Sequence, residues 1–313
     1  MARDELSEVF DLIEVRSLLS GGFAARGPWV SHAPIEDALK FVAVVCGRAR
    51  LLTDGLDSPI DLETGDVAIL NDRHWVELVD RTAVDGSVTA ARPEVMPEAD
   101  FSSTRLVAAD RTLDDVIVGG RVDLNDAGRT LLLQALPPVA HVRAAAAAGL
   151  RDSLDRLFDE VTASRMGSAF AIRQYGQLLL LEVLRAYVEQ TDLPPGWLLL
   201  LSDERLRPAL SIIHGEPGRP AGLEDLARAA GMSRTSFAER FRTVAGVPPL
   251  TYLSRWRMLL AQRALRHGDV GVGSLASELG YASESAFSTA FKREVGESPL
   301  RYRRRIRQQP AAG

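Results

Sequence analysis

The sequence predicts an α+β multidomain chain: an N-terminal β-barrel followed by helices, then a C-terminal all-α unit of two helix-turn-helix motifs. Three observations predict it. The C-terminal third holds one motif twice, the first third has the apolar rhythm of short strands, and charge is split between the two ends. Residues 219–313 carry 16 Lys and Arg against 8 Asp and Glu, whereas residues 1–218 carry 21 against 34. The formal charge of -5 therefore hides a basic third on an acidic body, and such a basic, helical, duplicated unit is the footprint of a phosphate-backbone binder.

The first copy runs Leu226-Ala227, Gly231, Ser233, Phe237, Phe241, Gly246, Pro249-Leu250 and Tyr252. The second runs Leu275-Ala276, Gly280, Ser283, Phe287, Phe291, Gly296, Pro299-Leu300 and Tyr302. The offset is 49 residues up to the glycine and 50 from the serine onward, so Ala282 is an insertion in the second turn. A supersecondary unit has been duplicated. In the first copy Leu223, Leu226, Ala227 and Ala230 make one apolar stripe on a short helix. Gly231 supplies the left-handed residue that ends it, and Ser233 caps the next helix. A single copy could be an ordinary helical hairpin; two copies sharing a capping serine argue for a second helix that enters a major groove.

On the first such helix Phe237, Phe241 and Val244 face the core, leaving Arg234, Thr235, Ala238, Glu239 and Arg242 for DNA. Arg234 suits a bidentate contact with guanine and Glu239 can accept from cytosine N4; pairing of Glu239 with Arg240 or Arg242 is the alternative. The matching positions of the second helix are Glu284, Ser285, Ser288 and Thr289, with Lys292 and Arg293 one turn further on, where phosphate contact is expected. The run Arg301, Arg303, Arg304, Arg305 and Arg307 reads as a solvated tail or as further phosphate contact.

The stretch Gly222–Arg307 resembles the DNA-binding domain of the AraC/XylS family of bacterial transcription regulators. Leu226-Ala227-x-x-Ala230-Gly231-Met232-Ser233, Phe237-x-x-x-Phe241 and Gly246-x-x-Pro249 carry the resemblance. So do Leu275-Ala276, Gly280-Tyr281, Phe291-Lys292 and Gly296-x-x-Pro299. It implies seven helices in a domain spanning 216–313, with helix-turn-helix units at 222–247 and 272–297 and a linker helix at 249–267.

Upstream, Phe41–Val45, Ala49–Leu52, Val67–Leu70 and Val76–Val79 are short Val-, Ile- and Leu-rich runs parted by Gly, Pro and Asp turns, an all-β rhythm. Gly65-Asp66-Val67-Ala68-Ile69-Leu70 followed by His74 resembles a cupin motif, as do Gly27-Pro28-Trp29 and Phe41-x-x-Val44-x-x-Gly47. A cupin-like sensor barrel is expected over 1–145. Its effector candidates are Phe23, Trp29, Phe41, Val44, His74 and Trp75, which could instead only fill the core. Residues 146–215 then read as helices, with Leu150, Leu154, Leu157, Phe158 and Val161 on one and Ile172, Tyr175, Leu178, Leu179, Val183 and Val188 on the next. They either cap the barrel or couple and dimerise the protein, and the resemblance favours a homodimer.

Enzymatic cupins hold a metal with a His-x-His pair and further ligands. The five histidines here are His32, His74, His141, His214 and His267, none in that spacing, and the strand concerned reads Lys40-Phe41-Val42-Ala43-Val44. No metal and no cofactor are expected. Cys46 is the single cysteine, so no internal disulfide can form. No apolar run approaches a membrane span and the N-terminus is charged, so a cytoplasmic protein is expected. The sequence thus reads as a DNA-binding transcription regulator, not an enzyme, controlled by a small-molecule effector in the barrel, with RNA polymerase a further candidate partner. Two alternatives stand: a metal-dependent cupin enzyme tethered to a DNA-binding domain, and a barrel that serves only assembly.

Overall fold

The computed structural model describes residues 4–17, 21–80, 94–96, 114–163 and 165–308. The chain forms two compact units, Val15–Asp192 and the combination of Met1–Glu14 with Leu193–Gly313.

The first unit is built from strands β1 (Val15–Ser17), β2 (Gly21–Ala25), β3 (Trp29–Pro34), β4 (Leu39–Cys46), β5 (Arg48–Thr53), β6 (Ile60–Glu63), β7 (Val67–Asn71), β8 (Trp75–Val79), β9 (Glu94–Met96), β10 (Asp115–Arg121), β11 (Asp123–Leu124) and β12 (Val139–Val142). They make two five-stranded sheets, β12-β7-β4-β10-β2 and β6-β5-β8-β3-β9, and a short β1-β11 ribbon. Pairing is antiparallel except for β3 with β9. The core lies between the two sheets, where Phe23, Trp29, Val42, Val44, Leu51, Leu62, Leu70, Leu78 and Ile117 meet. The described strands thus form two facing sheets, the flattened jelly-roll form of the cupin-like barrel expected from the sequence.

Strand β4 is buried on both faces, which is why its sequence runs apolar without alternation. Val42 and Val44 point into the sandwich; Phe41, Ala43 and Val45, at the other parity, point to its outer face. Helices supply the cover there. α2 (Asp126–Ala135) starts on Asn125, whose Oδ1 accepts from the Gly128 N–H at 2.7 Å. α3 (Ala148–Ala163) lies against β4, and α4 (Ser168–Gln190) packs on α3, β1 and β12. One stripe of α4 buries Leu179, Leu180, Val183 and Leu184, while Phe170 and Leu178 stay exposed at 63% and 51%. Asp66 ties the helical layer to the sheet. It accepts from the Ala144 N–H at 3.0 Å and lies 2.9 Å from His141 Nε2. Burial alone would raise its carboxyl, and these contacts outweigh it, so the net shift is downward.

The second unit is all helical: α1 (Glu5–Phe10), α5 (Trp197–Ser202), α6 (Arg207–Gly215), α7 (Leu223–Ala229), α8 (Arg234–Ala245), α9 (Pro249–His267), α10 (Val272–Glu278), α11 (Glu284–Val295) and α12 (Pro299–Gln308). Six described helices, α7 to α12, lie in the span 216–313 for which the resemblance implies seven, and α6 ends just before it at Gly215. The expected boundaries at 145/146 and 215/216 differ from the division at Asp192. The reason is burial. Leu206, Ala209, Leu210 and Ile213 of the α6 region sink into the helical unit, and so do Val9, Leu12 and Ile13 beside α1. Glu5 accepts from the Ser211 hydroxyl at 2.9 Å, and Glu14 lies 3.3 Å from Arg266.

Candidate nucleic-acid interface

The helix pair α7–α8 turns at Gly231, whose φ of +63° lies in the left-handed region that a side chain disfavours. Ser233 Oγ then accepts from the Ser236 N–H at 3.2 Å, capping α8. Phe237 and Phe241 are fully buried, the latter edge-on to Tyr252 at 5.6 Å. With those two rings fixed inward, the 3.6-residue period leaves Arg234, Thr235, Glu239 and Arg242 exposed and Ala238 half-buried on the other side. Arg240 pairs with Asp203 at 2.8 Å, so the pairing of Glu239 with Arg240 considered from sequence does not form.

The second pair, α10–α11, repeats this geometry. Gly280 has φ +74°, Ser283 Oγ accepts from the Ala286 N–H at 3.2 Å, and Phe287 and Phe291 are buried against Tyr302. Glu284, Ser285, Thr289, Lys292 and Arg293 are exposed and Ser288 is half-buried. The spine between the pairs is α9, whose Tyr252 meets Phe241 and whose Met258, Ala261 and Leu265 meet Phe287 and Phe291. The outward faces differ in chemistry: the first offers Arg234, Glu239 and Arg242, the second Glu284 and short hydroxyls, with Lys292 at the counterpart of Arg242.

The C-terminal arginine run is neither a loose tail nor a free phosphate contact as a whole. Arg301 and Arg305 pair with Glu297 at 3.7 and 2.7 Å, Arg303 donates to the Val270 carbonyl, and Arg307 holds Asp269 and the Gly268 carbonyl. Helix α12 is thereby stapled to the turn between α9 and α10, and Arg304 remains exposed.

The structure separates the six effector candidates. Phe23 lines an interior recess of about 40 Å³ with Ser31, Ala33, Lys40, Val42 and Val76. Trp29 and Val44 lie in the same interior but are packed solid. Trp29 is edge-on to Phe23 at 5.2 Å, and its Nε1 donates to Asp115 at 2.8 Å. The other three are not brought to the interior. Phe41 and Trp75 have the wrong strand parity, Phe41 lying under the helices and Trp75 half-exposed and stacked on His32 at 5.7 Å. His74 is 81% exposed at its side chain and is held at 2.9 Å by Asp54. That contact, two backbone N–H groups and Arg73 hold the Asp54 carboxyl well below the usual range.

Residues 4–189 match the cupin family and residues 226–305 a helix-turn-helix domain. The chain is 36% identical over 307 residues to an AraC-like transcription regulator of Streptomyces lividans, a match covering 96% of this chain and 98% of that protein. It belongs to the AraC family of transcription regulators. It is also 29% identical over 314 residues to the regulator AlkR of Acinetobacter baylyi, covering 96% of this chain and 99% of that one. The crystal structure of the DNA-binding domain of AdpA in complex with a target DNA matches 36% of this chain and 100% of that one, at 33% identity and a TM-score of 0.33. In this AraC-family chain the cupin match closes at residue 189, beside the division at Asp192. Among the described residues no helix is long and apolar enough to cross a membrane.

Proposed function

We propose that this AraC-family regulator reads a two-part DNA site with α8 and α11 and responds to a small molecule taken into its cupin sandwich. The observation that carries the DNA reading is the pair of outward faces left by the buried Phe237–Phe241 and Phe287–Phe291 pairs. Arg234, Thr235, Ala238, Glu239 and Arg242 read bases; Glu284, Ser285, Ser288 and Thr289 read weakly; Lys292 and Arg293 hold phosphate. Selection of duplexes from a random pool by the full chain tests this. Two half-sites about 34 Å apart, one helical turn, are expected; failure to enrich any sequence rejects it.

For the effector, Phe23, Trp29 and Val44 are the part of the candidate set that shares the interior. A recess of about 40 Å³ holds only a few waters, so uptake needs the side chains around Phe23 to part, and the effector favours the state in which they have parted. The exposed Phe170 and Leu178 of α4 support a homodimer through that helix. The reading assigns no catalytic step, and a DNA ligand places the protein's work in the cytoplasm.

A further inference from the structure

Residues 193–221 connect the last helix of the sensor unit to the first helix-turn-helix, and by composition Gly215–Pro220 is a plain linker. In the structure this segment grips both readers. At the first, the Gly196 N–H donates to the Val244 carbonyl at 2.9 Å and α5 packs along α8. Asp203, whose side chain is 8% exposed, takes Arg240 in a two-point contact, Nη2 to Oδ2 at 2.8 Å and Nε to Oδ1 at 3.4 Å. The same Oδ1 accepts from the backbone of Arg205 and Leu206. On the helical wheel Arg240 and Val244 fall on the side of α8 away from Thr235, Ala238 and Arg242. The contact therefore holds the helix without covering its outward face.

At the second reader the grip is made through α9. Arg257 Nε donates to the Pro217 carbonyl at 2.7 Å, Nη2 donates to the Arg219 carbonyl at 3.3 Å, and the guanidinium lies over the Tyr281 ring at 5.6 Å. Tyr281 belongs to the turn that launches α11. The neighbouring Gly280 sits so close that a Cβ there would stand 2.5 Å from the Gly218 carbonyl oxygen. The segment is thus seated in the notch between α9 and the second turn.

We propose that residues 193–221 act as a strap that fixes the orientation of the second reader relative to the first, with Asp203, Arg240 and Arg257 as positioning residues for DNA recognition. Without the strap the described contacts join the two readers chiefly through α9, each on a different stretch of it, and one helix is free to bend and twist. A second connection removes that freedom and sets the half-site spacing the protein accepts. One added base pair turns the second half-site by about 35° and moves it by roughly 3.4 Å, which a rigid pair cannot follow.

The proposal rests on the two-part reading of DNA, and the test separates them. The full chain first selects its duplex, and affinity is then measured for that duplex and for one with a base pair inserted between half-sites. The wild type should lose about tenfold or more on insertion, the scale of a lost base contact. Arg257→Met, which keeps bulk but loses both hydrogen bonds and the charge, should lose only about two- to threefold. Replacing residues 217–219 by Ser-Gly-Ser leaves α9 untouched and keeps the carbonyls but frees the backbone that Pro217 fixes, and should relax spacing in the same direction. Arg263→Met, at an exposed position of the same helix, should keep the wild-type ratio. If the wild type selects no duplex, the two-part reading fails. If Arg257→Met and the 217–219 variant, with melting temperatures near wild type, both keep the wild-type ratio, the strap is overturned and α9 alone sets the spacing.

Discussion

His214 of α6 lies flat against Trp256 of α9, their ring centroids 3.8 Å apart and their planes 12° from parallel. Its Nε2 is 3.0 Å from the Tyr252 hydroxyl, and its Nδ1 faces Glu8 at 3.3 Å, out of line for a hydrogen bond. Burial pushes the imidazole down to about 4. Burial and then the Glu8 charge push the Tyr252 phenol up. The neutral ring therefore accepts a hydrogen bond at Nε2 from the phenol O–H, and residues 4–14, α6 and α9 are joined at one buried point.

Stability should follow from that shift. The folded value of about 4 lies below the ordinary 6.5, so as pH falls the unfolded chain takes up the proton first. Stability is complete above about 6.5 and is lost as pH falls toward 4, at about 1.4 kcal/mol per pKa unit. Melting curves between pH 7.5 and 5 should show the helical unit weakening. His214→Phe keeps a stacked ring without a titrating group and should flatten that slope; an unchanged slope in the variant would discard the assignment.

Arg234→Ala and Lys292→Ala should fail differently. Loss of a base-reading arginine costs roughly 1–3 kcal/mol and relaxes one base position, whereas loss of a phosphate contact weakens all sequences alike and lowers the salt slope by about 1. Affinity for a panel of single-base variants across several salt concentrations separates the two. Equal binding of every variant by wild type and Arg234→Ala removes Arg234 from base reading.

The two half-sites should differ in sharpness. Glu284, Ser285, Ser288 and Thr289 present short or acidic groups where the first helix presents Arg234, Thr235, Ala238 and Glu239, while Lys292 stands at the position of Arg242. The selected motif is expected to carry less information in the half read by α11. Equal information in both halves would count against the assignment of faces.

Helix α4 should carry the dimer contact. Phe170→Glu together with Leu178→Glu alters two exposed positions and should shift a dimer to monomer in light scattering with little change in melting. A double variant that remains dimeric places the interface elsewhere.

Where a signal is local, the residues alone disclosed the structure. Ser233 and Ser283 cap the helices they were expected to cap, and Gly231 and Gly280 take the left-handed turn. The reason is that caps and turns are settled by backbone groups within a few residues. Phe237 and Phe241 were legible as core because a period of 3.6 leaves them one face. The effector set was not legible in the same way. Phe41 and Val44 stand together among the effector candidates, yet strand parity sends them to opposite faces, and a strand buried on both sides hides its parity in a continuous apolar run. Asp203 could be flagged as a helix-capping type, but nothing near it pointed to Arg240, 37 residues on.

By itself the sequence determined the duplicated helix-turn-helix, the residues on its two outward faces, the strand-rich first third and the charge split, all properties of short windows or of composition. Only the tertiary structure decided that residues 4–14 and 193–215 belong with the C-terminal unit, that Arg301, Arg303, Arg305 and Arg307 of α12 engage Glu297, Asp269 and nearby carbonyls, and that Pro217–Arg219 seats against Arg257. Each of these joins groups far apart in the chain, and such pairings are chosen by which buried surfaces and charges fit once the helices have packed.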